Sequence, residues 1–291
     1  MIKKLLGIAP RQIAAGRYEP SRLALKLATS AKTNYQPTFY PQAEQADKLK
    51  VLMLCTEERY MTMANGKQFC TGNHPVEMLV PMLHLKNAGF EIDIFTATGK
   101  SVKIEMWAMP QKDENVKSIY SAYKERFENP QSLADFVKNS LSDSSDYVAI
   151  FIPGGHGAML GLPESDDLNK LIHWSHHKGL FMLTICHGPA ALLAANRHNK
   201  NGSFLYAGYK LAAFPDAVDQ KTPIIGYLPG QLPWKFGEKL QDLGVTIINK
   251  KADKTCQIDR KLISAASPQA ANQFGKLAAT ALLKAANKSR S

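Results

Sequence analysis

A chain of 291 residues, 45% of them hydrophobic, is long enough for one large α/β domain or two small ones, with a sizeable buried core. Four scattered cysteines (Cys55, Cys70, Cys186, Cys256) form no CxxC pair, which argues against a disulfide framework or a zinc finger and fits a reducing, cytoplasmic setting. The net charge of +11 would suggest nucleic acid, but residues 1–32 hold seven Lys/Arg against Glu19 alone, and residues 276–291 hold four with no acid.

The charge therefore lies in the ends, which read as solvated basic tails; weak attraction to nucleic acid or anionic surfaces is the alternative. The start, Met1 to Pro10, is basic, but its apolar stretch is too short and proline-broken for a signal peptide. No run approaches the roughly 18 apolar residues of a membrane span.

Residues 1–48 read as a basic N-terminal extension, with a short amphipathic helix over 21–28 and an extended crossing segment over 34–45. The regular core, 49–291, opens with a strand over 48–54, a helix over 75–87 ended by Gly89, and a strand over 91–96. That is a βαβ unit, hence a parallel sheet with right-handed crossovers. Residues 98–145 are polar and charge-rich and are expected to form an inserted cap, with helices near 116–127 and 132–138. Then come a strand over 147–152, a helix over 166–177, and strands over 180–185 and 209–214. A helix over 233–243, short strands over 245–249 and 261–266 and a helix over 269–286 close the chain. No internal repeat is visible. The alternation predicts a doubly wound α/β sheet, whose ligands bind at the C-terminal edge of the strands.

Cys186 ends the apolar run 180–185 and is followed at once by His187-Gly188-Pro189 and an Ala/Leu run. It thus sits on a sharp strand-to-helix turn, the logic of a nucleophile elbow. A thiolate there gains from the helix N-terminus and from an adjacent imidazole. Taken alone, a cysteine is more often a buried structural thiol; its neighbours argue otherwise. The run Pro153-Gly-Gly-His-Gly157 ends another strand, and Gly154 and Gly155 allow a ligand close approach to backbone N–H groups, which suits an oxyanion hole. His187 can face the same cavity as the thiol, with its own N–H a further oxyanion donor, and Asp216 could orient it as the third member of a triad. An Asp after a strand is otherwise a cap or turn residue. Glu77, in Thr71-Gly-Asn-His-Pro-Val-Glu77, falls in the first turn of a helix aimed at the strand ends. A carboxyl buried beside a thiol should have a raised pKa and carry protons near neutrality; the plainer reading is a dipole-favoured helix-start Glu.

Together, NHPVE around Glu77, PGGHG from Pro153, ICHGPAA around Cys186, AFPDA around Asp216 and Ile225-Gly-Tyr-Leu-Pro-Gly230 resemble the ThiJ/PfpI superfamily, and more narrowly its HchA-type branch. The resemblance covers residues 40–285. It implies a flavodoxin-like core with a small extra subdomain, a homodimer, and Cys186, His187 and Asp216 as a triad with Glu77 as the acid near the thiol. It implies glutathione-independent glyoxalase, protein and nucleic-acid deglycase and stress-chaperone activities. That branch can also hold a metal through two histidines and a glutamate. Glu91 matches, but Lys86 and Tyr123 stand at the histidine positions, so this site is expected to be absent. A second candidate, His173-x-x-His176-His177, has helical ligand spacing but no placed carboxylate partner, and reads as a solvent face.

Glutamine amidotransferases share the elbow but need a downstream His-x-Glu; here the only later histidine, His198, is followed by Asn199-Lys200. A peptidase remains open, although a recessed elbow suits small substrates better. The leading expectation is chemistry on methylglyoxal and glyoxal, giving lactate or glycolate, and on the early adducts these dicarbonyls form with proteins and nucleic acids. No cofactor is required. The alternative is a holding chaperone for unfolded proteins that uses exposed apolar surface, with the basic arm as a lid.

Overall fold

The computed structural model describes residues 7–141, 146–199 and 202–290. The extension begins with a hairpin, Arg11–Ala14 (β1) and Arg17–Glu19 (β2), and the helix Arg22–Ala28 (α1). The strand Lys50–Leu54 (β3) leads to a second hairpin, Tyr60–Thr62 (β4) and Gln68–Cys70 (β5), the helix Pro75–Asn87 (α2) and the strand Glu91–Thr96 (β6). Glu114–Glu128 (α3), the short strand Gln131–Ser132 (β7) and Leu133–Asn139 (α4) follow. Next come Tyr147–Ile152 (β8), Asp166–His177 (α5), Phe181–Ile185 (β9) and a 3-10 helix over Gly188–Asn196. The chain closes with Lys210–Leu211 (β10), Asp216–Asp219 (α6), Phe236–Asp242 (α7), Thr246–Ile247 (β11), Cys256–Asp259 (β12), Leu262–Ala265 (β13) and Ala271–Arg290 (α8).

The central sheet has the order β12-β13-β9-β8-β3-β6-β7. Every neighbouring pair is parallel except β12–β13. Such a sheet needs helices on both faces, so its strands are near-continuous apolar runs. Val51–Leu54 of β3 and Ala149–Ile152 of β8 are buried on both sides. One face packs on α2, α3 and α8, with Phe90, Phe151 and Phe274 at its centre. The other packs on α5, α7 and the 3-10 helix, around Leu171, Leu192 and Phe236. This is the doubly wound, mostly parallel α/β fold expected, and its C-terminal edge gathers the ends of β3, β8, β9 and β13.

Three segments differ from expectation. Within the described part of the expected cap, residues 98–141, β7 pairs with β6 as the edge of the central sheet, and α3 lies on α2. Their polar character comes from the outer face of α3, while Val116, Ile119, Tyr123 and Phe127 make a buried stripe at helical spacing. Residues 11–28 of the basic extension dock on the body of the protein. Their hairpin adds to β5 in a second sheet, β1-β2-β5-β4, and Ser21 both caps α1 and hydrogen-bonds the Gly226 and Ile225 carbonyls. Residues 209–214 contribute only two strand residues, in a small parallel pair with β11 outside the central sheet.

Candidate active site

Cys186 follows β9 with φ at 61°, a left-handed conformation that a non-glycine residue adopts only when its surroundings impose it. The surroundings are visible: its N–H donates to Ala265 O at 2.8 Å, and its carbonyl accepts from Phe214 N at 2.9 Å. The elbow is thus fastened to β13 on one side and to the segment before α6 on the other. Its side chain meets Gly154, whose missing Cβ is required: a methyl there would lie 2.2 Å from Glu77 Oε2 and 2.7 Å from Cys186 Cβ. Glycine at this position lets the carboxyl and the thiol converge. Gly155, with φ at 92°, turns the chain so that its N–H comes beside the Glu77 carboxyl.

Glu77 enters from α2 as expected and is fully buried. Neither of its oxygens makes a hydrogen bond of ordinary geometry, although the Cys186 thiol and the Gly155 N–H are close enough to favour its charge slightly. Burial dominates and holds its pKa well above the usual carboxylate range. Burial, and then the Glu77 charge, also push the Cys186 thiol up rather than down, against the expectation from the helix end alone. Two adjacent acids in one buried pocket share protons.

His187 Nδ1 lies 3.3 Å from Cys186 Sγ, and its Nε2 lies 2.8 Å from Asp219 Oδ2. The carboxylate hydrogen-bonded to this imidazole therefore belongs to Asp219, and Asp216 is engaged elsewhere. Asp216 accepts from the N–H groups of Gly237 and Glu238 and caps α7, whose own N-cap, Lys235, supplies no side-chain bond. The two aspartates stand one turn apart on α6, and only the second reaches the imidazole. Asp219 Oδ1 also bonds His156 Nε2 at 3.0 Å, and the rings of His156 and His187 lie tilted by 36° with centroids 4.0 Å apart. An ionised Asp219 accepts from both, so each imidazole carries its proton on Nε2 and His187 presents the lone pair of Nδ1 to the thiol. Burial opposes ionisation of Asp219, but the two imidazoles outweigh it and hold its pKa below the usual range. Burial, and then His156, lower His187, so it is neutral and basic at pH 7. His74 is pushed down to about 3 by burial and by the same two imidazoles.

These groups line one cavity of about 270 Å³, closed by Leu27 and Ala28 of α1, Phe214 and Tyr227. At roughly 30 Å³ per water it holds a few-carbon adduct and excludes an extended polypeptide. It shares Leu27, Pro268 and Gln269 with an adjoining hollow of about 390 Å³ bounded by Ser30, Lys32 and Asn34. The extension therefore roofs the site. Sequence reasoning missed His156, whose place in the glycine run drew attention to its neighbours, and Glu105, a buried carboxyl on the cavity wall.

The expected metal set is mismatched in the structure as in the sequence. Glu91 lies exposed at the start of β6, Lys86 is exposed at the end of α2, and Tyr123 is buried with its phenol pKa raised by burial. An ammonium and a protonated phenol are poor ligands. His173, His176 and His177 face outward on α5, and His173 donates to Ala195 O. Among the described residues, His156, His187 and Asp219 are the group whose donor atoms approach metal-ligand spacing, but their facing atoms are engaged with one another.

The fold and the elbow define a class: flavodoxin-like α/β proteins with a thiol at the turn after a central strand. The chain belongs to the DJ-1/PfpI family, whose profile matches residues 69–211, and within it to the HchA branch. It is 49% identical over 267 residues to the protein/nucleic acid deglycase HchA of Pseudomonas aeruginosa, covering 91% of each chain. It is 47% identical to the HchA deglycase of Escherichia coli O157:H7, covering 91% of this chain and 92% of that one. Among solved structures, glyoxalase III from Candida albicans is similar with a TM-score of 0.60 at 25% identity, over 80% of this chain and 97% of that one. A 24 kDa rapid encystment protein from Francisella tularensis shares the fold with a TM-score of 0.64 at 24% identity, over 80% and 99%.

Proposed function

We propose that this protein is a glutathione-independent enzyme for methylglyoxal and glyoxal that also reverses their early adducts on proteins and nucleic acids. The observation that carries the reading is the convergence of Cys186, Glu77 and the His187–Asp219 pair in one small buried cavity. His187 Nδ1 takes the thiol proton as Sγ adds to the aldehyde carbon. The developing oxyanion lies toward the N–H groups of Gly155 and His187 and takes the proton that burial keeps on Glu77, completing a hemithioacetal. Glu77, now a carboxylate, removes the proton from the sulfur-bearing carbon and returns it to the neighbouring carbon, which converts the adduct to a thioester. Water then attacks the acyl carbon and gives a proton to Glu77, while sulfur leaves with the proton held on His187. Methylglyoxal plus water yields lactate and the starting enzyme. The relatives named deglycases support the same attack on hemithioacetal and aminocarbinol adducts, with the amine or thiol released.

The test is lactate formation from methylglyoxal without glutathione. Wild type is expected to produce it and Cys186→Ala to lose it; a mutant as fast as wild type overturns the assignment. A holding-chaperone role is favoured by exposed apolar side chains, Leu27 at the cavity at 64% and Ile224 at 67%. Cys186→Ala is expected to keep suppressing aggregation if that surface acts by itself. We place the protein as a cytoplasmic homodimer serving DNA as well as protein repair. Among the described residues no helix is long and apolar enough to cross a membrane.

A further inference from the structure

The isomerisation above moves two kinds of proton. One travels between carbons, and Glu77 carries it. The other must reach the oxygen of the neighbouring carbonyl as the enediol forms, and leave the oxygen of the sulfur-bearing carbon as the thioester forms. Glu77 cannot be in both places at one moment.

A second carboxyl stands on the same cavity wall. Glu105 is fully buried, and its Oε1 accepts from the Thr71 hydroxyl at 2.7 Å; its Oε2 makes no hydrogen bond of ordinary geometry, although the His156 backbone N–H is close enough to the carboxyl to favour its charge slightly. It is placed by a backbone clamp: Asn73 N donates to Lys103 O at 2.7 Å, and Glu105 N donates to Asn73 O at 3.0 Å. The segment 71–77 that carries Glu77 is thus tied directly to the segment that carries Glu105. A buried carboxyl oxygen left unmatched is costly, about 1–3 kcal/mol, and is explained by a ligand that completes it.

Resting on the reading above, we propose that Glu105 is the oxygen-side proton carrier of this reaction. Protonated Glu105 gives its proton to the carbonyl oxygen next to the sulfur-bearing carbon as Glu77 removes the carbon proton, leaving an enediol and a Glu105 carboxylate. That carboxylate takes the proton from the hydroxyl on the sulfur-bearing carbon as Glu77 protonates its neighbour. The thioester forms, Glu105 is again an acid, and no proton is gained or lost.

Its surroundings fit the role. Burial raises Glu105 to about 7, with His156, the Thr71 hydroxyl and Arg59 opposing the rise. Arg59 is engaged with Ile104 O at 3.0 Å, and the Tyr227 phenol, held protonated by burial, and Glu77 and Cys186 also face it through the cavity. The donor form prevails below neutrality, so turnover should fall as pH rises through about 7.

The experiment compares wild type with Glu105→Gln, which keeps an acceptor for Thr71 but has no proton to give. Both are followed from pH 5.5 to 8.5 by loss of the Cys186 thiol on mixing with methylglyoxal and by lactate release. The variant is expected to consume thiol at the wild-type rate, release lactate on the order of 10²–10⁴-fold more slowly, and lack the limb near neutrality. Equal lactate rates overturn the role of Glu105 while leaving the proposed function intact. Equal slowing of thiol loss and lactate release makes Glu105 structural and also overturns it. No lactate from wild type removes the reaction and this role together. Should Glu105→Gln not fold, Thr71→Val serves: loss of its hydroxyl is expected to shift the limb to higher pH, and an unshifted limb overturns the proposal.

Discussion

At the scale of single residues the sharpest question is which aspartate serves His187. Asp219→Asn replaces one of the two accepting oxygens by an NH2 donor, so it can no longer accept from both imidazoles, and it frees His187 to turn its protonated nitrogen toward sulfur. Turnover of methylglyoxal is expected to fall on the order of 10²–10⁴-fold with the fold retained. Asp216→Ala removes only the cap of α7, which costs about 1 kcal/mol of stability and leaves turnover within a factor of a few. The reverse pattern would restore Asp216 as the triad member. Gly154→Ala is a third case, because its methyl would collide with the Glu77 carboxyl and the Cys186 Cβ. It should abolish turnover even where circular dichroism shows a folded protein; a fully active variant would mean that the two groups need not converge. Cys186, His187 and Glu77 were legible because turn geometry and helix phase place them regardless of distant packing. The choice between Asp216 and Asp219 was not: both follow the same Pro, and the decision depends on where Gly237 and Glu238 arrive from twenty residues later.

At the scale of elements, the helices α2 and α5 were readable to their ends because Pro75 and Ser165 punctuate their starts. Strands β1, β2, β4 and β5 went unread since three or four residues give too little alternation to detect, and the β2–β5 pairing that joins the two hairpins links segments about fifty residues apart. That gap hid the docking of the extension. Gly226 is where the dock can be tested. Its φ is +70°, and an added Cβ would lie 1.9 Å from Ile8 O. Gly226→Ala should therefore loosen residues 7–28 from the mouth of the site, at about 1–3 kcal/mol. Faster proteolytic clipping of the extension, with the remaining core resistant, is the expected readout. Unchanged clipping would show that the hairpin, rather than the Ser21–Gly226 contact, anchors the arm.

At the scale of the whole molecule, the site's buried acids set the pH dependence of folding, and they pull in opposite directions. Asp219 is more acidic in the folded protein than unfolded, so it stabilises above its unfolded value of roughly 3.9 and loses that contribution as pH falls toward its folded one. Glu105 behaves in the reverse sense. Folded, it keeps its proton up to about 7, whereas the unfolded chain releases it near 4.5. Between those values the native state binds more protons than the unfolded state, and stability falls as pH rises. At 1.36 kcal/mol per pKa unit, the loss accumulated by pH 8 is about 3 kcal/mol. Glu77, also raised by burial, acts in the same sense. Glu105→Gln removes one of these contributions, so denaturant unfolding at pH 5 and pH 8 should show the variant losing less stability across that interval than wild type, by about 2.5 kcal/mol. Parallel losses in the two proteins would mean that Glu105 ionises in the native state as readily as in the unfolded chain, and that the cavity is wetter around its Oε2 than the burial of that atom implies. A more stable, slower variant at pH 8 would instead show a destabilising carboxyl kept in place by its chemistry.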